Sequence, residues 1–185
     1  MSAQIKERDE SHSEQQAKAQ FESIIEMVAA LTREGAADIY VKDLTREECV
    51  KLLTDNELDY DQENDSDEDL REAVAEFITD ETIDPDDFEF DEDGARQTIQ
   101  EDPLSVQVRG DWGDPGSDDL ATPVEFEILL CTGGPAVRII GDLDRGSPSR
   151  PRIQHQDWGT PWTEYFPANG SEALQTYCEQ FYYGD

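Results

Sequence analysis

Between Asp55 and Asp93, 20 of 39 residues are acidic and Arg71 is the only basic one. Such a segment cannot be an interior. It is an unfolded tract, a solvated face, or a charged surface held on a scaffold. The apolar residues threaded through it decide between these. Leu58, Tyr60, Leu70, Val74, Phe77, Ile78, Phe88 and Phe90 interleave the acids. Leu70, Val74, Phe77 and Ile78 share one side of a helix expected over Asp67–Thr79. The run therefore reads as a folded acidic belt. Its candidate partner-binding carboxylates are Asp55, Glu57, Asp59, Asp61, Glu63, Asp65, Asp67, Glu68, Asp69, Glu72, Glu76, Asp80, Glu81, Asp84, Asp86, Asp87, Glu89, Asp91, Glu92 and Asp93.

The whole chain follows the same bias, with 46 acidic against 14 basic residues and a formal net charge of -32. Residues 1–100 hold 31 of the acids and 9 of the bases. Charge of this size opposes compaction and excludes direct binding to DNA, RNA or an anionic membrane, which need basic surface. It suits a basic, nucleic-acid-binding protein or complex as partner. A homodimer would double the length of such a face. No apolar run reaches membrane-span length, and Met1–Gln16 has no hydrophobic segment of signal type, so a cytoplasmic location is expected. Cys49, Cys131 and Cys178 are too few and too scattered for a disulfide framework or zinc site, and are expected as buried thiols.

The expected fold is α+β. Residues 1–13 read as a flexible start, 14–101 as an acidic, mainly helical region, and 102–185 as an antiparallel sheet with a C-terminal helix. A first helix is expected over Glu14–Glu34, from Phe21, Ile24, Ile25, Val28 and Leu31, with Gly35 as its stop. Asp38–Leu44 reads as a strand or extended link. Thr45 reads as an N-cap ahead of Val50, Leu52 and Leu53, Ile83-Asp84-Pro85 as a helix start, and Ala95–Gln100 as a further helix. Period-two alternation then marks Leu104–Arg109 and Val124–Leu130, followed by Ala136–Ile140 and Arg152–Gln156. Thr132–Pro135 and Asp142–Pro151 supply turns, and Trp158–Trp162 leads into a fifth strand. These make an antiparallel meander of four to five strands. Ser171 is expected to cap a last helix burying Leu174, Tyr177, Cys178 and Phe181.

No constellation supports catalysis. His12 falls in the flexible start, and His155 in a strand between Gln154 and Gln156, where a lone histidine is more often structural. Gly133-Gly134-Pro135 is a turn, because Pro135 lacks the amide that a phosphate cradle would use. The chain is not expected to be an enzyme, nor to hold a cofactor or metal. Calcium is the nearest alternative. An EF-hand register from Asp61 gives Asp61, Glu63, Asp65, Asp67, Asp69 and Glu72 but has Ser66 where glycine belongs. A register from Glu89 gives Asp91, Asp93 and Gly94 but ends on Gln100. A salt-adapted protein of a halophile is another alternative. The four lysines (Lys6, Lys18, Lys42 and Lys51) suit it, and the concentration of charge in one stretch does not. Trp112, Trp158, Trp162, Tyr165, Tyr177, Tyr182 and Tyr183 read as core and turn residues, some fit to anchor an interface.

Cys131-Thr-Gly-Gly-Pro-Ala-Val-Arg-Ile-Ile140 and Gln156-Asp-Trp-Gly-Thr-Pro-Trp-Thr-Glu-Tyr165 resemble segments of small proteins carried by phages and conjugative elements, over the C-terminal third. In charge the chain is similar to antirestriction and anti-CRISPR proteins, which imitate DNA. The two resemblances imply a mobile-element inhibitor. It would act in the bacterial host, against a CRISPR effector or a restriction enzyme.

Overall fold

The helices over 33–42, 46–55 and 67–79 each form where apolar residues at helical spacing follow a side-chain N-cap. The computed structural model describes residues 11–61, 65–83, 87–110, 122–167 and 170–184. They group into two compact units, one of residues 26–99 and one of residues 1–25 with 100–185.

The first unit is helical. α1 (His12–Ala29) enters it at its last turn and is followed by α2 (Arg33–Lys42), α3 (Arg46–Asp55), α4 (Asp67–Thr79) and α5 (Glu92–Glu101). Ala37 and Val41 of α2, Cys49, Leu52 and Leu53 of α3, and Leu70, Val74, Ala75 and Ile78 of α4 form the core, with Ile83. Phe88 and Tyr40 pack against it, their rings edge-on at 5.2 Å. The caps are reciprocal. Thr45 Oγ1 accepts the amide of Glu48, whose carboxylate accepts the amide of Thr45. Ser66 and Asp69 repeat this box at the start of α4. Each box satisfies two otherwise orphaned amides.

Two expectations fail here. The segment from Asp38 is helix, not strand, because Ala37, Tyr40 and Val41 turn to the core at helical spacing. Burial outweighs the strand preference of Ile39-Tyr40-Val41. Gly35 does not stop α1. It lies in the first turn of α2, where a Cβ would come within 2.2 Å of the Ala29 carbonyl oxygen. The helix start proposed at Ile83-Asp84-Pro85 falls partly on 84–86, outside the described residues.

The second unit is an antiparallel meander with strands in sequence order: β1 (Ser105–Gly110), β2 (Pro123–Cys131), β3 (Pro135–Asp144), β4 (Ser147–Asp157) and β5 (Thr163–Glu164). α6 (Ser171–Cys178) packs on β4. Phe126, Ile128, Leu130, Val137, Ile139 and Ile153 are buried, as are Leu174, Tyr177 and Cys178 of α6 and Ala17, Phe21 and Ile24 of α1. The α+β architecture thus has helices first, then a five-stranded antiparallel sheet and a last helix.

The turn region expected at Asp142–Pro151 is mostly strand. β3 and β4 run on to a two-residue turn, where Arg145 and Gly146 take φ of 53° and 81°. That left-handed pair matches the twist of a hairpin. Pro148 and Pro151 are tolerated because β5 covers β4 only at Gln154 and His155, leaving the earlier part of β4 as an edge. Of the start expected to be flexible, 1–10 lies outside the described residues, and the Ser11 hydroxyl accepts the Glu14 amide at 3.2 Å as α1 begins. Ser171 is not a cap: Gly170 holds that position without a side-chain bond. Phe181 lies beyond α6, half-buried, its ring 5.3 Å from that of Tyr177. Among the described residues, no helix is long and apolar enough to cross a membrane.

Candidate functional site

The belt lies wholly within the helical unit. Glu63, Asp84 and Asp86 fall outside the described residues. Of the remaining seventeen carboxylates, Asp65 and Asp87 are half-buried and the other fifteen are exposed. Cys49 and the apolar faces of α2, α3 and α4 hold this surface from beneath, so its charges are carried on folded backbone.

The carboxylates divide by what they do for the fold. Asp69 closes its capping box, and Asp91 accepts the Gly94 amide at 2.8 Å as α5 begins. Asp65 accepts the Asp61 amide at 2.8 Å, and Asp87 accepts from the Asn56 side chain at 3.0 Å. Asp55 pairs with Lys51, Asp67 with Arg46, Glu81 with Arg33, and Glu92 with Arg96. The capping bonds also set acidity. The carboxyl of Asp69 is held below its usual range by the Ser66 hydroxyl and then by the Ser66 amide. Glu48 is lowered first by the Thr45 amide and then by its hydroxyl.

The carboxylates of Glu57, Asp59, Glu68, Glu72, Glu76, Asp80, Glu89 and Asp93 make no hydrogen bond or ion pair among the described residues. Four of them, Glu68, Glu72, Glu76 and Asp80, form one row at four-residue spacing along α4, about 6 Å apart along its axis. Like charges at this spacing destabilise a helix. The second half of the row also approaches the negative end of the helix dipole, where the last turn holds no basic residue. α4 with its cap Asp80 carries six acids against Arg71, and Arg71 is turned toward the Leu44 carbonyl at 2.9 Å. That is about one net charge per 4 Å of axis. A strand of duplex DNA carries one per roughly 3.4 Å.

Glu57 and Glu81 extend the pattern. Each follows a helix C-cap with φ of 57° and 59°. At α3 the Glu57 amide bonds Thr54 and the Leu58 amide bonds Leu53; at α4 the Glu81 amide bonds Ile78 and the Thr82 amide bonds Phe77. These are Schellman closures, which favour glycine at the left-handed position. Both places hold glutamate instead.

Over the described residues, neither calcium register follows an EF-hand loop. Asp67–Glu72 is the start of α4, and Glu92–Gln100 is α5, whereas an EF-hand wraps those positions around the ion. Among the described residues, no group of three or more His, Cys, Asp or Glu side chains is placed to hold a metal.

One constellation escaped the sequence. Ser13 Oγ lies 2.8 Å from His155 Nδ1, 2.9 Å from Asp157 Oδ2 and 3.1 Å from Ser11 Oγ. Ser13 is 2% and His155 6% exposed. An ionised carboxylate only accepts, so the single serine proton goes to Asp157, and His155 Nδ1–H donates to Ser13. The direction is the reverse of a nucleophilic triad, in which histidine takes the serine proton. The network ties the start of α1 to the end of β4. The two partners stand 142 residues apart, and the only local cue was Ser11-His12-Ser13-Glu14, a capping-box pattern.

The aromatics divide by place. Tyr177 and Tyr183 are buried, and Trp162 lies under the Arg138 guanidinium at 4.1 Å. Trp158, Phe166 and Tyr182 are largely exposed. Trp112 falls outside the described residues. Cys49 and Cys178 are buried and Cys131 half-buried, all as free thiols. No family model, no curated protein and no solved structure matches the chain.

Proposed function

We propose that the chain is a DNA-mimic inhibitor, whose acidic belt occupies the basic nucleic-acid-binding site of a bacterial defence complex such as a CRISPR effector or restriction enzyme. One observation carries this reading. Carboxylates stand where the fold would be better without them: in the row Glu68, Glu72, Glu76 and Asp80, which no described cation neutralises. Solvation alone does not need charge at positions that oppose a helix. A basic groove does, because each carboxylate takes the place of a phosphate and releases counterions as DNA would.

The test uses the full chain as bait in bacterial lysate across a salt series, beside a Glu72→Gln/Glu76→Gln/Asp80→Asn variant shown to be folded. Support is retention of one nucleic-acid-binding complex that duplex DNA and salt release, with markedly weaker retention by the variant. Equal retention by the folded variant, or no displacement by DNA, overturns the reading.

A further inference from the structure

The sheet-bearing unit has an open cavity of about 500 Å³, where the start of α1 meets the end of β4 and the segment through β5. This is within the size range of small-ligand sites, roughly 300–1,000 Å³. Its charged lining is acidic: Glu14, Asp157 and Glu164, with no basic side chain among the described lining residues. His155 also lines it. The residue is 6% exposed; its Nδ1 is bonded to Ser13, and its Nε2 has no partner among the described residues. A buried polar nitrogen left unpaired costs free energy until a partner reaches it. The Thr160 hydroxyl is already given to the Asp157 carbonyl. At the rim, Phe166 is 78% exposed.

From this lining, we infer that the cavity is a receptor for an arginine side chain of the basic partner. Three carboxylates in one cavity, beside a buried side chain with an unpartnered nitrogen, call for a cation rich in N–H donors. A guanidinium presents five in a planar fork suited to carboxylates, and its faces stack on aromatic rings such as that of Phe166. A lysine ammonium offers a point charge without the plane. The assignment rests on the reading of the chain as a binder of basic proteins. It adds a second contact whose recognition is geometric where the belt's is a matter of charge density.

The probes are Nα-acetyl-arginine amide, its lysine counterpart and the neutral citrulline analogue. Each is titrated into the full chain, with the ring resonances of His155 and Tyr165 followed by NMR. The arginine compound is expected to bind saturably and more tightly than the lysine compound, with no saturable binding of the citrulline one. A Glu14→Gln/Glu164→Gln variant is expected to weaken it about tenfold or more, since both changes leave the Ser13–His155–Asp157 contacts in place. The Glu72→Gln/Glu76→Gln/Asp80→Asn belt variant should bind the arginine compound unchanged, so failure of the belt reading and failure of this one are separable. Absence of saturable arginine binding, equal binding of citrulline, or equal binding by the Glu14→Gln/Glu164→Gln variant overturns the assignment.

Discussion

Tyr177 donates its phenolic hydrogen to Asp102 across 2.6 Å, joining α6 to the segment that precedes β1. The ring is fully buried and Asp102 is partly exposed. The contact therefore has two separable parts, a packed ring and one charge-assisted bond. Tyr177→Phe keeps the ring and lets water reach Asp102, and should cost about 1–2 kcal/mol. Tyr177→Ala removes the ring from the core as well and should cost about 3–5 kcal/mol. Urea unfolding of the two variants against the parent measures both steps.

Around that ring, the sheet-bearing unit should be sensitive to alkali. Burial pushes the phenols of Tyr177 and Tyr183 and the thiol of Cys178 well above their ordinary values; the Asp102 bond adds to the effect at Tyr177. A group whose folded pKa is raised adds stability that is whole below its unfolded pKa and is lost as pH rises above it. The unfolded values are about 8.5 for cysteine and 10 for tyrosine. Stability should hold to about pH 8 and then fall by up to about 1.4 kcal/mol per pH unit for each group passed. Ultraviolet titration should show the two phenols ionising with loss of structure, not before it. In Tyr177→Phe the upper part of the decline should be shallower.

How far the sequence told this story depends on whether each signal was local. Thr45 and Ser66 stand three residues ahead of Glu48 and Asp69, so their boxes involve only neighbours, although only the Thr45 cap is apparent without the structure. The helix over Asp67–Thr79 and the alternation of Val124-Glu125-Phe126-Glu127-Ile128 are likewise complete within their own segments. Gly35 misled because its role is close approach to Ala29, a packing matter that reads in sequence like a helix stop. Ile39-Tyr40-Val41 misled because strand preference is weak against burial. Ser13, His155 and Asp157 were invisible as a group, being joined only by tertiary folding. The identities of the belt carboxylates were plain, but which of them lack a partner depends on where Arg33, Arg46, Lys51 and Arg96 reach.

The capping boxes should make the helical unit sensitive to acid. Thr45 and Ser66 depress the carboxyls of Glu48 and Asp69. A depressed folded pKa adds stability that is present above the unfolded value, about 4, and is lost as pH falls through the folded one. A Thr45→Ala/Ser66→Ala variant should be less stable at neutral pH by about 1 kcal/mol for each hydroxyl lost. As pH falls below about 4 the gap should narrow but not close, because the parent's hydroxyls still accept the Glu48 and Asp69 amides. Thermal melts across the acid range, followed by circular dichroism, would check the narrowing; a constant gap at all pH values would show that the hydroxyls make no titrating contact.

The last prediction concerns Glu57 and the row on α4, and it sets stability against binding. Glu57 holds a left-handed conformation at φ 57° that costs a residue with a side chain about 1 kcal/mol relative to glycine. Glu57→Gly should therefore raise the melting temperature, although it removes a side chain. Neutralising Glu72, Glu76 and Asp80 removes like-charge neighbours worth about 0.2–0.5 kcal/mol per pair and relieves the helix dipole, so this variant too should be more stable. The stabilisation should be largest at low ionic strength and shrink as salt screens the exposed charges in the parent. Melting curves at low and high sodium chloride measure both terms. Gains in stability from both variants, with loss of partner retention in the triple, would identify the belt as charge kept for binding at the expense of the fold. A destabilised triple variant would instead mean that these carboxylates hold the helix together, and their place in the binding surface would fall with it.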